Sequence, residues 1–289
     1  MTPAYAGLTR RAFLGGALAL AAAGAGCSTP RPSAAQAASV DTLTANQPFY
    51  IAHRGGGGNW PEMTAYAYAQ AAQIPGLQAL EISVCLSADG VLVCSHDPTT
   101  ARMTGTPYTI AEETWATLST LKVSGAETTE PDQPPQPLTR FDDVVEAYIG
   151  QFVLFVEPKV KAAADPLMVR MAALDQPERV VWKSPINSSS GFAEAKRRGF
   201  GTWGYVLNET AHTGDSLARY AASTDIDLLG APQGESESFI TQITQAGRDN
   251  GKQTIAWPIR STADRDRVLG LGCTGMMTSN LRQVLGAEK

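Results

Sequence analysis

Short apolar runs alternate, between residues 48 and 289, with longer segments in which apolar residues recur every three or four positions. The short runs predict β-strands and the longer segments predict helices. Eight strands are predicted, at residues 49–53, 77–86, 153–156, 179–183, 202–207, 226–231, 254–259 and 275–278. Strands that alternate with helices are usually parallel, so the pattern predicts an α/β fold, a (β/α)8 TIM barrel. A doubly wound open sheet is the alternative.

The second predicted strand runs into an Asp-Gly pair and then into a second apolar run, which is the pattern of a β-hairpin. If Asp89 and Gly90 form a two-residue turn, Cys85 lies opposite Cys94 at a non-hydrogen-bonded position. The Cα atoms of such a pair are about 4.5 Å apart, a separation that a disulfide can span. We therefore expect a Cys85–Cys94 disulfide, with two buried thiols as the alternative.

Residues 97–150 form a long segment between the hairpin and the third barrel strand, with Pro131, Pro134, Pro135 and Pro137 close together in it. We interpret this segment as a loop insertion on the barrel, with a short helix near residues 110–121. Long insertions on barrel loops commonly serve substrate binding.

The first 26 residues have the pattern of a twin-arginine signal peptide, with Arg10-Arg11 before an uncharged, Ala- and Gly-rich run at residues 12–26. Cys27 follows a sequence similar to a lipoprotein box, although Gly24 stands where that box has Leu. Lipidation of Cys27 would leave residues 27–47 as anchor and flexible tether before a barrel at 48–289. Cleavage after Ala35-Gln36-Ala37 would instead release a soluble protein. Both readings predict an exported protein.

Composition and charge narrow the function classes. Of the 289 residues, 43% are hydrophobic, which suits a packed core, and the net charge of −5 argues against nucleic-acid binding. Four cysteines are too few for a scaffold built on disulfides.

Chemically active side chains lie at the ends of the predicted strands. His53 and His96 end the first strand and the returning arm of the hairpin, and histidine is well suited to proton transfer near neutral pH. Glu81 lies within the second strand and Glu157 ends the third. A carboxylate in an apolar strand needs a partner or a metal ion. In a barrel, the C-terminal ends of the strands form the active face.

Several short motifs occur together in one order: His53-Arg54-Gly55, Pro61-Glu62-Met63-Thr64, Glu81-x-Ser83, Asp89-Gly90, His96-Asp97 and Glu157-x-Lys159. This set resembles the glycerophosphodiester phosphodiesterase family of barrel enzymes. The resemblance implies metal-assisted hydrolysis of a phosphodiester, with His53 and His96 as acid and base. It also implies that Arg54 and Lys159 bind the phosphate and that Glu81 and Glu157 bind a divalent cation, Ca²⁺ or Mg²⁺.

One position departs from this family, which has Glu-x-Asp where the chain has Glu81-Ile82-Ser83. Ser83 shares the face of Glu81 in an extended strand, so the ligand position remains but its carboxylate is lost. We expect cation binding to be weakened or lost, with Glu62 or a water molecule as a substitute ligand.

Two functions therefore remain open. The first is a cell-envelope phosphodiesterase that hydrolyses glycerophosphodiesters to an alcohol and glycerol 3-phosphate. The second is a catalytically impaired lipoprotein that binds a phosphorylated glycerol or a lipid head group. A third, weaker alternative is phosphate transfer to an internal hydroxyl, which yields a cyclic product. In each case we expect a monomer whose membrane contact is its lipid anchor.

Overall fold

The structure is a computed structural model that describes residues 39–125, 128, 133–188, 191–211 and 214–286. The predicted signal peptide, Cys27 and residues 28–38 of the predicted tether lie outside these residues. The end of the predicted tether is helical, because residues 40–45 form helix α1, which is capped by Ser39. Leu43 of this helix packs against the apolar interior of the barrel.

Strands and helices alternate through the described residues. The strands are β1 Phe49–Ala52, β2 Ala79–Leu86, β3 Leu92–Cys94, β4 Lys122–Val123, β5 Gln136–Pro137, β6 Val153–Pro158, β7 Val180–Pro185, β8 Gly201–Tyr205, β9 Leu228–Pro232, β10 Gln253–Ile259 and β11 Gly275–Thr278. The α-helices are α1 Val40–Ala45, α2 Ala65–Ala71, α3 Ala101–Thr104, α4 Trp115–Leu118, α5 Phe141–Tyr148, α6 Lys161–Ala172, α7 Phe192–Arg197, α8 Gly214–Ala222, α9 Glu237–Asp249, α10 Thr262–Gly270 and α11 Leu281–Leu285.

Eight of the strands form a closed parallel barrel. Their order is β1-β11-β10-β9-β8-β7-β6-β2, and β2 pairs with β1 to complete the ring. Each predicted strand is present within a few residues of its expected bounds. The (β/α)8 TIM barrel is therefore confirmed, and the closure of the ring excludes the open sheet.

The barrel interior follows from the alternation of side chains along each strand. Phe49 and Ile51 of β1 pack there with Phe155, Val181 and other inward-facing residues of the neighbouring strands. A larger apolar cluster fills the layer between the strands and the surrounding helices. This layer of the barrel interior is apolar. Polar side chains begin at the next inward-facing positions, closer to the C-terminal ends of the strands.

The hairpin of β2 and β3 has a three-residue turn instead of the expected two-residue turn. The Gly90 N–H donates to the Ser87 carbonyl (3.0 Å), and the Ser87 N–H donates to the Val91 carbonyl (3.0 Å). Gly90 has φ +81°, the left-handed conformation that glycine adopts at low cost and that such three-residue turns need. The longer turn shifts the pairing of the two strands by one residue.

This shift separates the two cysteines. Cys85 pairs with Val93, whereas Cys94 pairs with Val84, so the two thiols point to opposite faces of the hairpin. Both are buried and free. The predicted Cys85–Cys94 disulfide is therefore wrong, and the alternative of two buried thiols holds, because the turn contains one residue more than expected.

The insertion has its own small apolar cluster, which packs against the hairpin. Cys85 and Val93 contribute to it from the hairpin, and Met103, Ile110 and Leu118 contribute from the insertion. The short helix expected near 110–121 is present as a 3-10 turn followed by α4. Helix α5 also falls within the predicted insertion and packs in the main core, so the irregular part ends before Phe141.

No helix within the described residues is both long enough and apolar enough to cross a bilayer.

Candidate active site

Polar side chains occupy the inward-facing positions near the ends of four adjacent strands. Glu81 and Ser83 follow Ala79 on β2, Glu157 follows Phe155 on β6, Lys183 follows Val181 on β7, and Tyr205 follows Trp203 on β8. The register places Ser83 beside Glu157. The period of two along each strand therefore brings these five side chains into one layer at the C-terminal end of the barrel.

Lys183 joins the two buried carboxylates. Its Nζ lies 2.6 Å from Glu81 Oε1 and 2.7 Å from Glu157 Oε2. The Ser83 hydroxyl donates to Glu81 Oε1 at 3.0 Å. We call Glu81, Glu157 and Lys183 the Lys183 cluster. Its members are 0%, 2% and 5% exposed, so each charge depends on its partners and not on water.

The charges of the Lys183 cluster stabilise one another. Burial disfavours the ionised form of Glu81, but the Lys183 ammonium outweighs this and holds the pKa of Glu81 well below its usual range. Burial also opposes ionisation of Glu157, and Lys183 again lowers the pKa of Glu157. For Lys183, burial opposes the charge, yet the two carboxylates raise its pKa. All three groups are therefore ionised at neutral pH.

The Lys183 ammonium occupies the place where the resemblance implies a metal ion. Among the described residues, no group of three or more His, Cys, Asp or Glu side chains is arranged to hold one. A Ca²⁺ or Mg²⁺ ion lies about 2.0–2.6 Å from its oxygen ligands, so an ion bound by Glu81 and Glu157 would overlap the ammonium and repel it. The carboxylates expected to bind metal bind Lys183 instead, and the residues present do not fit a divalent cation at this position.

His53 and His96 line one cavity of about 530 Å³ at the mouth of the barrel. We call it the histidine cavity. Arg54, Glu62 and Arg260 also line it. The chain segments that carry the two histidines are 43 residues apart, and the closed ring brings them together because β1 pairs with β2. The predicted meeting of the two imidazoles at one opening is confirmed.

His53 is hydrogen-bonded to a residue that follows the last barrel strand, and its neighbour Arg54 is bonded to the Lys183 cluster. Its Nδ1 is 2.8 Å from the hydroxyl of Ser279, which directly follows β11. Arg54 has φ +54°, a left-handed conformation that is strained for a residue with a side chain. In this conformation the Arg54 N–H donates to Glu81 Oε2 at 2.7 Å. The strained turn thus connects the histidine cavity to the Lys183 cluster.

His96 belongs to a chain of hydrogen-bonded polar and charged side chains along the rim. Its Nδ1 is 2.7 Å from Asp97 Oδ1, and Asp97 Oδ2 accepts from Arg102 Nε at 2.5 Å. Arg102 donates in turn to Glu62 (2.7 Å), which also pairs with Arg54 (3.1 Å). Glu62, the predicted substitute metal ligand, is therefore held by two guanidinium groups and does not join Glu81 and Glu157.

Both histidines favour the neutral form in the absence of substrate. Burial lowers the pKa of His53 well below 6.5, and the charges of Arg54 and Lys183 lower it further. Burial is also the main cause that lowers the pKa of His96, with contributions from Arg54 and Lys159, whereas the hydrogen bond to Asp97 opposes the shift. Of these two histidines, His96 has a carboxylate hydrogen-bonded to its ring, whereas the partner of His53 is a hydroxyl.

Lys159 lies next to the histidine cavity rather than in its wall. It lines a second cavity of about 580 Å³, together with Glu157, Trp182 and Tyr205 at the ends of β6, β7 and β8. Its Nζ is 3.3 Å from Glu157 Oε1. The two predicted phosphate ligands, Arg54 and Lys159, therefore line different cavities, although the charge of Lys159 acts on His96.

Besides Arg260 in the wall of the histidine cavity, sequence reasoning missed four residues that the structure brings to the site. Lys183 and Tyr205 hold Glu157, Arg102 holds Asp97 and Glu62, and Ser279 holds His53. One signal was available, because a lysine inside the apolar run at 180–185 needs a buried partner. Ser279 also had a signal, because it directly follows the predicted strand at 275–278, whereas Arg102 lies in a polar segment and has none.

Solved structures that are similar in fold to this chain include phosphodiesterases from three organisms. A glycerophosphodiester phosphodiesterase from Thermotoga maritima is 17% identical, with a TM-score of 0.68 over 84% of this chain and 99% of that chain. A glycerophosphodiester phosphodiesterase from Agrobacterium tumefaciens is 18% identical, with a TM-score of 0.67 over 82% and 99% of the two chains. A phosphodiesterase from Oleispira antarctica, solved with its product sn-glycerol-3-phosphate, is 21% identical, with a TM-score of 0.65 over 83% and 96%.

The sequence identifies the family itself. The model of the glycerophosphoryl diester phosphodiesterase family matches residues 53–282, most of the chain, and the chain belongs to this family of phosphoric diester hydrolases. Enzymes of this family commonly use a divalent cation. A glycerophosphodiester phosphodiesterase of Arabidopsis thaliana is 42% identical over 66 residues, which is 23% of this chain and 18% of the plant protein.

Proposed function

We propose that the protein is an exported phosphodiesterase that hydrolyses glycerophosphodiesters to an alcohol and glycerol 3-phosphate. The observation that carries this proposal is the placement of His53 and His96 in the wall of one cavity that also contains arginine side chains. Two imidazoles and guanidinium groups are what hydrolysis of an anionic diester requires, namely a base, an acid and positive charge for the phosphoryl oxygens. The family supplies the substrate class, and the Oleispira antarctica relative binds sn-glycerol-3-phosphate.

The different partners of the two histidines assign their roles. Asp97 accepts a hydrogen bond from His96 Nδ1 and stabilises its imidazolium form, so His96 acts as the general acid that protonates the leaving alkoxide. His53 has a hydroxyl partner and is more deeply buried, so its neutral ring acts as the base that takes a proton from the attacking water. A new bond forms between the water oxygen and phosphorus, and the bond from phosphorus to the alcohol oxygen breaks.

Arginine side chains bind the phosphate in this scheme. Arg54 lines the histidine cavity, although Glu62 takes part of its hydrogen-bonding capacity. Arg260 lines the same cavity from the end of β10, and within the described residues it makes no ion pair. Arg260 is therefore the added phosphate contact that sequence reasoning did not identify. Lys159 contributes positive charge from the neighbouring cavity.

Export and anchoring are part of the proposal and are supported by sequence only. Arg10-Arg11 and the uncharged run after them support transport by the twin-arginine route. Cys27 supports a lipid anchor outside the cell membrane, and Ala35-Gln36-Ala37 supports release as a soluble protein. The barrel itself is proposed to act as a monomer.

The direct test is product analysis with glycerophosphocholine. The purified wild type should release choline and glycerol 3-phosphate in equal amounts, and Arg260→Gln should raise KM more than it lowers kcat. Lys196→Gln, which removes a cation far from both histidines, is the matched control and should leave both constants unchanged. Absence of both products from the wild type, with and without divalent cations, would reject the proposed activity.

Binding without turnover is the second candidate, and the Lys183 cluster favours it. Ser83 and Lys183 replace the carboxylate and the ion on which relatives rely, so the site can hold an anionic head group without hydrolysing it. In that case calorimetry should detect glycerophosphocholine binding that Arg260→Gln weakens, while no product forms.

A further inference from the structure

The Lys183 ammonium lies between the two carboxylates and supplies positive charge where a metal ion would. Its Nζ contacts one oxygen of each carboxylate that the family would use as a ligand, at 2.6 Å on Glu81 and 2.7 Å on Glu157. Its ammonium also lies 5.7 Å from the Trp203 ring and 5.3 Å from the Tyr205 ring. Packing and four partners thus fix this cation at the centre of the layer.

The remaining oxygens around Lys183 are also engaged. Tyr205 donates to Glu157 Oε1 at 2.6 Å, and the Arg54 N–H donates to Glu81 Oε2 at 2.7 Å. Ser83 donates to Glu81 Oε1 at 3.0 Å. A hydroxyl that donates to a carboxylate behaves as a hydrogen-bonding neighbour and not as a metal ligand. Each carboxylate oxygen that an incoming ion would need therefore already accepts a hydrogen bond.

The net charge of the site is also the same with Lys183 as with a divalent cation. Three carboxylates with a divalent cation carry a net charge of −1. Glu81, Glu157 and Lys183 also carry a net charge of −1. Ser83 in place of the family's Asp removes one negative charge, and Lys183 in place of the ion supplies one positive charge instead of two. The net charge therefore stays the same. Without Lys183, Glu81 would remain buried without an ion-pair partner and Glu157 would keep only Lys159 at 3.3 Å, which is strongly unfavourable.

We propose that Lys183 permanently replaces the divalent cation, so that this protein binds no divalent ion between Glu81 and Glu157 and needs none for its activity. The absence of ion binding follows from the contacts of Lys183 alone, whereas activity without an ion depends also on the proposed function. The net charge next to the bound phosphate is then set by the polypeptide and does not vary with the concentration of metal in the surroundings.

The test compares ion binding before it compares activity. Protein treated with chelator and dialysed is titrated with Ca²⁺ and with Mg²⁺, and binding is followed by calorimetry and by the melting temperature. The wild type and Glu157→Gln should behave alike, with no binding that depends on Glu157. The double variant Ser83→Asp/Lys183→Ser rebuilds the three-carboxylate set and should gain one site. At a hundredfold excess over its Kd, its melting temperature should rise by roughly 5 °C or more.

A wild-type site for Ca²⁺ or Mg²⁺ that Glu157→Gln abolishes would overturn the proposal. The wild-type titration decides this even if the double variant does not fold. Activity is a separate readout. Glycerophosphocholine turnover that survives chelator supports the proposal, and turnover that appears only with added ion contradicts it while leaving the proposed function intact. Absence of turnover in all conditions rejects the proposed function and leaves the ion-binding result valid.

Discussion

The Lys183 cluster and the histidine cavity are neighbouring regions that differ in how far their ionisable side chains are exposed to solvent. In the Lys183 cluster, each charged group is nearly inaccessible and bound to an opposite charge. In the histidine cavity, His96 and Arg102 keep 28% and 33% of their side-chain surface exposed. Buried ion pairs fix the positions of the side chains that form them, whereas ionisable groups that face a cavity remain available to bind a ligand. Removal of a group should therefore affect stability in the first region and rate in the second.

The largest expected effect is on rate in the histidine cavity. His53→Gln and His96→Gln should each lower kcat by about 10²–10⁴-fold, because each removes one of the two proton-transfer groups. In urea titration, the free energy of unfolding of His96→Gln should change by about 1 kcal/mol or less, because His96 is partly exposed. His53→Gln should cost more stability than His96→Gln, because His53 is buried and hydrogen-bonded to Ser279. The double variant should be little slower than either single variant, since the two groups act in one step. Full activity in either single variant would remove that histidine from the mechanism.

Removal of the central cation should produce the largest effect on stability. Lys183→Met leaves Glu81 buried without its ion-pair partner and Glu157 with Lys159 alone, and it should cost about 3–5 kcal/mol in urea unfolding at neutral pH. Lys196→Met is the matched control. Lys196 pairs with Asp227 at 2.7 Å on the surface, where the two side chains are 37% and 33% exposed, so its loss should cost about 1 kcal/mol or less. Equal losses in the two variants would contradict the contrast drawn between buried and exposed charge.

A smaller loss is expected when a hydrogen bond to the Lys183 cluster is removed. Tyr205→Phe deletes the hydroxyl that donates to Glu157 at 2.6 Å. A hydrogen bond to a charged group contributes about 1.5–3 kcal/mol, so the free energy of unfolding should fall by that amount. Tyr108→Phe is the control, because the Tyr108 hydroxyl makes no hydrogen bond within the described residues, and it should change stability by less than about 0.5 kcal/mol.

The smallest expected effect is a pH dependence in the histidine cavity. The base must be neutral and the acid must be charged, so activity is highest between their two pKa values. Because the pKa of His53 and the pKa of His96 are both lowered, the optimum of kcat/KM should lie below pH 6.5. Above the optimum, kcat/KM should fall about tenfold per pH unit, since the acid loses its proton. An optimum above pH 7 would contradict the assigned roles.

Much of this architecture could be predicted from the sequence, because repeated physical patterns specify it. Apolar runs that alternate with helical segments predicted all eight barrel strands. His53, Glu81 and Glu157 were then found within or at the ends of these strands, and His96 was found after the returning arm of the hairpin. The number of strands did not exclude an open sheet; the pairing of β1 with β2 closes the ring and also brings the two histidines together.

The rest depends on details that a single sequence does not specify. One additional residue in the Ser87–Val91 turn placed Cys85 and Cys94 on opposite faces. The partner of Glu81 could not be inferred from its own strand, because Lys183 approaches from β7, 102 residues away. The absence of an aspartate at position 83 was visible, but the compensating cation was not identified.

The bridge that Arg102 makes between Asp97 and Glu62 has a consequence for protein engineering. Arg102 comes from the segment after the hairpin, whereas Glu62 comes from the loop that follows the first barrel strand. A chimera that receives only one of these loops from a relative would lose the pairing of Arg102 with Glu62, because the two loops would come from different proteins. The two loops therefore form one exchangeable unit, and shuffling experiments on this barrel should transplant them as a pair.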